Sequence, residues 1–219
     1  MTTFSKDNST IKKNTLSISV QNIGKRFERE WIFRNLTCDF CSTNPTAIVG
    51  SNGSGKSTLI KSLVGYLPLS EGNLIYSEKE KIISKENWQD YIAWAAPYTE
   101  LIEEFTLIEQ LKFQQAFKPF DIEINQIIEK LGFVNTKNKA IRFFSSGMKQ
   151  KLKLALAIYS DAKIIFLDEP TSNLDKQNSE WYLKEIATIF NKKILVVASN
   201  QEIEYHFCSQ IIDIQSLKP

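Results

Sequence analysis

Long apolar runs are missing from this chain of 219 residues. No stretch approaches the ~18 consecutive apolar residues that a membrane-spanning helix requires. The polar residues 1–14 lack the apolar centre of a signal peptide, and we predict that they form a flexible tail. We therefore expect a cytoplasmic protein in which residues 1–219 form one domain, since a hydrophobic fraction of 42% is enough for a core.

Basic clusters are missing as well. The net charge is only +2, and no run of five basic residues occurs. Proteins that bind nucleic acid usually concentrate lysine and arginine in one stripe, because each neutralised phosphate releases counterions and adds to affinity. We therefore expect no nucleic-acid partner.

Cysteine is scarce, with three residues in the whole chain. Cys38 and Cys41 form a C-x-x-C, but they lie in an alternating, strand-like pattern in which residues three apart point to opposite faces. A redox pair would need its first cysteine at a helix N-terminus, and a structural zinc site would need four ligands. We interpret both cysteines as structural.

Apolar segments alternate with helical patterns along most of the chain. The segments 17–23 and 31–40 predict an antiparallel β flank, to which a hairpin at 73–76 and 81–84 would add. Further strands are predicted at 46–50, 90–96, 163–169, 193–199 and 210–214. Strands that alternate with helices imply a mainly parallel sheet in an α/β fold, into which residues 92–145 insert as a helical subdomain.

A Gly/Ser-rich segment, GSNGSGKST at residues 50–58, matches the phosphate-binding pattern G-x-x-x-x-G-K-[ST]. Its glycines allow positive φ and expose backbone N–H groups, and the helix that follows adds its positive end. Lys56 is expected to reach the β- and γ-phosphates, and Ser57 to ligate Mg²⁺. A chance loop is the alternative, which the strand before it and the helix after it disfavour. The candidate phosphate-binding residues are Gly50, Ser51, Asn52, Gly53, Ser54, Gly55, Lys56, Ser57 and Thr58.

Two acids end the apolar strand at 163–169. Asp168 is a candidate to bind Mg²⁺ through water, and Glu169 is a candidate general base for an attacking water. Acids after a strand are common, so these two indicate a metal and catalytic site only in combination with the phosphate-binding loop elsewhere in the chain. ATP is the expected nucleotide, because the Asn-Lys pairs at 138–139 and 191–192 lack the aspartate of the guanine motif N-K-x-D.

These motifs resemble, in order and spacing, those of the ATP-binding cassette (ABC) ATPases over nearly the whole chain. Residues 144–150, FSSGMKQ, look like the family's signature segment, and residues 172–175, SNLD, look like its D-loop. The resemblance implies that two cassettes dimerise and bury each ATP between one phosphate loop and the other signature helix. Ser145 and Gly147 would then meet the γ-phosphate, and Asp175 would belong to the nucleotide site. By itself, Ser145 fits an ordinary helix N-cap equally well.

The family also places an aromatic ring upstream of the phosphate loop, where it stacks on adenine. Phe27 falls at that place, with Trp31 as the second choice, because stacking tolerates different rings. An aromatic residue at a strand end more often belongs to a core, so that alternative stays open.

The chain departs from the family pattern in the signature segment and in the loop after the strand at 90–96. Ser146 and Met148 replace a glycine and a glutamine of the signature. Pro97-Tyr98 stands where the family has a glutamine that contacts Mg²⁺ and water, and the sequence does not choose between the two residues. Neither residue supplies a carboxamide.

A further departure lies at the end of the strand at 193–199. Asn200 stands where the family has a histidine that contacts the γ-phosphate. Asparagine can donate a hydrogen bond to phosphate but cannot carry a positive charge, so we expect a catalytic role with weaker stabilisation of the transition state. His206, the chain's one histidine, is expected to be incidental.

The leading hypothesis is a Mg²⁺-dependent ATPase subunit of an ABC transporter, slow in isolation, that drives a separate integral-membrane permease. It would lie at the inner face of the cell membrane and pair with a second, identical cassette when ATP is bound. The permease would contact the helical subdomain, most directly at residues 97–104, for which a solvated acidic loop is the alternative. Other hypotheses are a soluble ABC ATPase outside transport and a degenerate cassette that binds ATP but hydrolyses little.

Overall fold

The computed structural model describes residues 16–218, so the flexible tail predicted at residues 1–14 lies outside the described residues. The strands are β1 Leu16–Phe27, β2 Glu30–Cys41, β3 Thr46–Val49, β4 Glu71–Glu78, β5 Lys81–Ile82, β6 Ile92–Ala95, β7 Ile164–Asp168, β8 Ile194–Ser199 and β9 Gln210–Asp213. The α-helices are α1 Lys56–Leu63, α2 Trp88–Tyr91, α3 Leu107–Phe117, α4 Ile124–Leu131, α5 Ser146–Ile158 and α6 Lys176–Ala187.

One sheet is antiparallel, with the strand order β2-β1-β4-β5. β1 and β2 form a long hairpin whose register pairs Ile18 with Phe40, and both side chains are fully buried. Buried residues alternate with more exposed ones along much of both strands, as expected for a sheet with one covered face. The hairpin therefore has the antiparallel pairing that its alternating pattern predicted.

The other sheet is parallel, with the order β6-β7-β8-β3-β9. Parallel strands run in one direction, so their carboxyl ends meet at one edge of the sheet. The register sets Val49 of β3 beside Ser199 of β8, and Asp168 of β7 beside Ala198 of β8. The segments that follow β3, β7 and β8 are thereby brought next to one another, although about 30 to 150 positions separate them along the chain.

Alternate residues of β7 and β8 pack into two separate hydrophobic clusters. One cluster fills the space among the parallel sheet, α1 and the antiparallel sheet, and it includes the fully buried Phe166. The other cluster joins the opposite face of the sheet to α5 and α6, and it includes the fully buried Leu167. Burial on both faces explains why these strands are continuous apolar runs in the sequence.

The residues between β6 and α5 are mainly helical. α3 begins at a capping box, in which the Thr106 hydroxyl accepts from the Glu109 N–H and the Glu109 carboxylate accepts from the Thr106 N–H. α4 ends at Gly132, whose φ of 72° suits the left-handed helix cap. The buried side chains that attach both helices to the α5 cluster are Leu107, Leu111, Ile127, Ile128 and Leu131. The α/β class with a mainly parallel sheet, an antiparallel flank and a helical subdomain is confirmed.

The strand predicted at 90–96 begins later than its pattern suggested, at Ile92, because the preceding residues form the short helix α2. Trp88 of this helix stacks on Tyr76 of β4, with ring centroids 4.2 Å apart. The Trp88 indole N–H also donates to the Ile83 carbonyl at 3.1 Å. These contacts with the antiparallel sheet hold a helical turn where the apolar pattern alone indicated a strand.

Cys38 and Cys41 lie on β2 as free thiols. Burial, with a smaller contribution from the charge of Asp39, raises the pKa of Cys38 to about 12. That thiol stays protonated at neutral pH, whereas redox chemistry requires a thiolate. The environment supports the structural interpretation of the pair.

Candidate functional site

The loop between β3 and α1 depends on three glycines with positive φ, at 148° for Gly50, 75° for Gly53 and 113° for Gly55. Gly55 is the N-cap of α1, and a Cβ there would lie 2.4 Å from Cγ2 of Ile32. A Cβ on Gly53 would meet nothing within 4 Å. The left-handed backbone therefore favours glycine at all three positions, and crowding adds a second reason at Gly55.

Lys56 folds back over this loop from the first position of α1. Its Nζ donates to the carbonyls of Gly50, at 3.0 Å, and Ser51, at 3.1 Å, and the residue is only 4% exposed. Ser57 and Thr58 follow in the first turn and are half-buried. The Ser54 hydroxyl is buried without a hydrogen-bond partner among the described residues. One ammonium group and the positive end of a helix thus lie beside backbone N–H groups, an arrangement that suits an anion.

The two acids after β7 have different surroundings. Asp168 is 1% exposed, and its Oδ1 is buried with no hydrogen-bond partner within residues 16–218. Glu169 is half-buried with φ at 46°, and its N–H donates to the Ala198 carbonyl of β8 at 2.8 Å. A glutamate rarely adopts this left-handed conformation, and such residues concentrate at functional sites.

Tyr98, rather than Pro97, reaches these acids. Its hydroxyl donates to Oδ2 of Asp168 at 2.8 Å, while the Pro97 carbonyl accepts from Lys153 at 2.7 Å. The Lys61 Nζ lies 4.1 Å from the Tyr98 ring centroid. Burial of the phenol and the negative charge of Asp168 raise the Tyr98 pKa, so the hydroxyl remains a proton donor at neutral pH. The structure thereby resolves the ambiguity between the two residues.

Asn200, at the end of β8, lies against the phosphate-binding loop. Its Nδ2 donates to Oδ1 of Asn52 at 2.9 Å, so a strand end is tied to the loop that follows β3. His206 is exposed, and its Nδ1 contacts the Ile203 carbonyl at 3.1 Å. The asparagine, and not the histidine, is therefore the side chain that the fold brings to the loop.

The segments of the predicted signature and D-loop touch each other. The Ser145 hydroxyl accepts from the Met148 N–H at 3.2 Å and caps α5, and Asp175 accepts from the Asn178 N–H at 2.8 Å and caps α6. A Cβ on Gly147 would lie 2.8 Å from the carbonyl oxygen of Asn173. These caps are local, and within the described part of the chain no hydrogen bond joins Ser145 or Asp175 to residues 50–58.

Phe27 ends β1 and is 45% exposed, with the Lys25 Nζ at 4.9 Å from its ring centroid. The Trp31 ring is covered by two guanidinium groups, those of Arg34 at 4.5 Å and Arg26 at 5.6 Å. Phe27 therefore has the more accessible face for stacking with a ligand.

A buried glutamate that the sequence did not reveal joins the segment after β8 to the segment after β7. Glu204 is fully buried, and its Oε1 accepts from the N–H of Thr171 at 2.8 Å and from the Thr171 hydroxyl. Tyr182 donates to the Glu204 carbonyl at 3.0 Å. In the sequence, no periodic pattern in QEIEYH, residues 201–206, indicated burial.

Comparison with protein families supplies the context for this geometry. The family model described as ABC transporter matches residues 33–172, more than half of the chain. The chain belongs to the ABC transporter family. A related cassette has been solved bound to ADP and Pi.

Individual relatives agree with the family match. The ABC transporter ATP-binding protein YdbJ of Bacillus subtilis is 26% identical over 203 residues, which cover 90% of this chain and 66% of YdbJ. The probable ABC transporter ATP-binding/permease protein of Haemophilus influenzae is 26% identical over 219 residues, which cover 93% of this chain and 39% of that protein. The chain thus spans less than two thirds of the length of both relatives.

A solved structure supports the fold. The dimeric MJ0796, a bacterial ABC transporter cassette, superposes with a TM-score of 0.76 at 19% identity, over 90% of this chain and 94% of that one. In the present chain, no helix within residues 16–218 combines the length and apolar composition needed to cross a membrane.

The loop glycines yield a prediction that needs no ligand. Gly55→Ala should lower the free energy of unfolding by about 2–4 kcal/mol, because the methyl group meets Ile32 and the left-handed φ disfavours alanine. Gly53→Ala, the matched control, should cost only about 1–2 kcal/mol, since it carries the φ penalty without the clash. Urea unfolding of both variants measures the difference, and equal losses would contradict the role of Ile32.

Proposed function

We propose that this cassette binds and hydrolyses ATP and thereby drives a separate integral-membrane permease. The observation that carries the proposal is the meeting of Lys56, Asp168, Glu169 and Asn200 at one edge of the parallel sheet, where β3, β7 and β8 end side by side. P-loop enzymes use a lysine on the phosphates, an acid that holds Mg²⁺ and a residue that orients the attacking water for phosphoryl transfer. Asn200 adds a neutral hydrogen-bond donor to these groups.

Binding of the phosphates would fall to residues 50–58. Their backbone N–H groups and the N-terminus of α1 favour an anion, and Lys56 needs only to exchange two loop carbonyls for phosphate oxygens. Phe27, with its accessible ring at the end of β1, would stack on the adenine. Stacking and phosphate contacts together would orient the nucleotide along the loop.

Ser57 and Asp168 fit a magnesium site. Asp168 offers a buried acceptor, Oδ1, that lacks a partner among the described residues, and Ser57 offers a hydroxyl from the first turn of α1. Oxygen ligands of this kind are those that Mg²⁺ prefers. When bound, Mg²⁺ would neutralise phosphate charge.

Glu169 would act as the general base. Its carboxylate is less buried than that of Asp168, so water can reach it, and the N–H bond to Ala198 fixes its backbone next to the end of β8. Asn200 would donate to the γ-phosphate after leaving Asn52. Because its amide is neutral, it stabilises the developing charge less than an imidazolium would.

A second copy of the cassette would complete the site. Ser145 is exposed at the N-terminus of α5 and could present its hydroxyl and the N–H of Gly147 to the γ-phosphate bound by a partner, with Asp175 close by. MJ0796 has been solved as a dimer and in a post-hydrolysis state bound to ADP and Pi. We infer that this chain dimerises in the same way when it binds ATP.

The helical subdomain would contact the permease and hold the cassette at the inner face of the membrane. It was predicted at residues 92–145, but residues 92–95 form β6 of the parallel sheet, so its helices lie between β6 and α5. Residues 97–104 are suited to relay that contact, because they carry Tyr98, which is bonded to Asp168. The ion pair of Glu103 with Lys149 joins the same segment to α5. The Haemophilus influenzae relative is named as an ATP-binding/permease protein, which agrees with a transport role.

Substitution of the proposed base tests the hydrolytic role. Glu169→Gln should lower the ATPase rate at least about a hundredfold, because the amide cannot accept the proton of the attacking water. ATP binding should survive, and an ATP-bound dimer should accumulate in gel filtration. Glu129→Gln, on an exposed position of α4, is the control and should keep the normal rate. An unchanged rate in Glu169→Gln would favour a degenerate cassette that binds ATP without this chemistry.

The role of Asn200 can be tested by gain of function. Asn200→His should raise turnover about fivefold, since a charged donor bonds phosphate more strongly than an amide. The rate of the variant should also fall as pH rises through ~6.5, because the imidazolium loses its proton, whereas wild type should lack that step. A variant no faster than wild type at pH 6 would count against the assignment.

Photocrosslinking tests the proposed permease surface. A photoreactive residue at the exposed Glu100 should crosslink to a multi-span protein when the cassette is bound to native membranes. The same group at Ile82, a 75% exposed residue of the antiparallel sheet, is the control and should give no such product. Equal products from both positions would contradict the proposed contact surface, and no product from either position would argue for a soluble ABC ATPase outside transport.

A further inference from the structure

Tyr98 forms a hydrogen bond to Asp168, the carboxylate that the proposed function assigns to magnesium. Its hydroxyl donates to Oδ2 of Asp168 at 2.8 Å, while Oδ1 of the same carboxylate is buried without a partner in the described part of the chain. The hydroxyl therefore lies beside one of the side chains that would hold the metal.

A phenol and a divalent cation compete for the same acceptor. The neutral hydroxyl offers its proton to a carboxylate lone pair, and Mg²⁺, or a water bound to it, needs lone pairs of that carboxylate too. Mg²⁺ demands a near-ideal octahedron of oxygen ligands, which leaves little room for a tyrosine hydroxyl on the Asp168 carboxylate. Without metal, the tyrosine compensates part of the cost of burying Asp168.

The exposures of the two partners decide which one moves. Asp168 is 1% exposed at the end of a strand buried on both faces, whereas Tyr98 is 41% exposed in the loop after β6. The Tyr98 ring contacts the Lys61 Nζ, at 4.1 Å from its centroid, and the edge of Trp94, at 5.6 Å between centroids. The tyrosine can therefore swing toward solvent, while the aspartate is fixed.

We propose that Tyr98 closes the metal site of the nucleotide-free cassette, and that Mg²⁺ binds with ATP by displacing its hydroxyl from Asp168. This inference rests on the proposed function. Tyr98 then sets how much Mg²⁺ the site requires, and its departure moves the loop that begins at Pro97. Binding of Mg²⁺ is thereby coupled to the position of residues 97–104.

The change in Mg²⁺ affinity on removal of the Tyr98 hydroxyl distinguishes two models: the metal displaces the hydroxyl, or the hydroxyl helps to bind the metal. If the hydroxyl must leave, its removal in Tyr98→Phe makes Mg²⁺ bind more tightly. The same variant should melt at a lower temperature without metal, because a buried carboxylate loses its donor. A hydroxyl that remains and helps to hold the metal would give weaker Mg²⁺ binding in Tyr98→Phe.

The test is a titration of Mg²⁺ into the full chain saturated with an ATP analogue whose β–γ bridge cannot be hydrolysed, followed by calorimetry. Tyr98→Phe should reach half-saturation at about tenfold lower Mg²⁺ than wild type, the scale of one hydrogen bond to a charged group. Tyr66→Phe is the matched control, because Tyr66 is 70% exposed and contacts Trp94 at 6.1 Å without reaching Asp168. It should leave the Mg²⁺ requirement unchanged.

The outcomes separate this proposal from the function on which it rests. If the analogue binds and Tyr98→Phe needs as much Mg²⁺ as wild type, or more, displacement by metal is wrong while the nucleotide site stands. If neither wild type nor Tyr98→Phe binds the analogue, the proposed function fails and displacement fails with it.

A wild-type measurement keeps the test decisive should Tyr98→Phe not fold. Trp94 contacts the Tyr98 ring edge, so its fluorescence should change when Mg²⁺ is added to the analogue-bound protein. Trp94→Phe identifies the part of the signal that comes from this residue. A Trp94 signal that does not respond to Mg²⁺ would overturn the displacement.

Discussion

The parallel pairing of β7, β8 and β3 is the constraint on which the rest of the site depends. Its register places the last residues of the three strands side by side, so that three distant segments of the chain leave the sheet at one edge. The pairing is secured by two hydrophobic clusters, one on each face, into which alternate residues of β7 and β8 pack. A shift of one residue in any of these strands would exchange the two faces and move Asp168 or Asn200 away from the phosphate-binding loop.

The sequence predicted those features that depend on local pattern. Continuous apolar runs indicated strands buried on both faces, and the spacing of Gly50, Gly55 and Lys56 indicated the loop, because that geometry needs glycine and lysine at fixed offsets. Tyr98 could not be chosen over Pro97, since the direction of a side chain in a loop is set by packing that comes from α1. The burial of Glu204 was likewise hidden, because its partner Thr171 lies 33 positions away. The orientation of Tyr98 and the burial of Glu204 depend on tertiary contacts, which a local sequence pattern does not reveal.

Three polar side chains of the site already form hydrogen bonds within the chain. Lys56 bonds to loop carbonyls, Tyr98 to Asp168 and Asn200 to Asn52. At these three side chains a nucleotide would exchange existing hydrogen bonds for new ones, and each exchange gives only a small net gain. Two of the departures from the family pattern, Tyr98 and Asn200, form such hydrogen bonds, which tie the loops after β6 and β8 to the site.

The close approach of Gly147 to Asn173 has a mechanical consequence. With only 2.8 Å between a hypothetical Cβ and a backbone oxygen, the start of α5 has no free travel toward the segment that leads from Glu169 to α6. Gln150 binds the Pro170 carbonyl at 3.0 Å and blocks separation in the opposite sense. The two segments are thus joined by a close backbone approach and a hydrogen bond. A displacement of the start of α5 would therefore be passed on to the backbone beside Glu169.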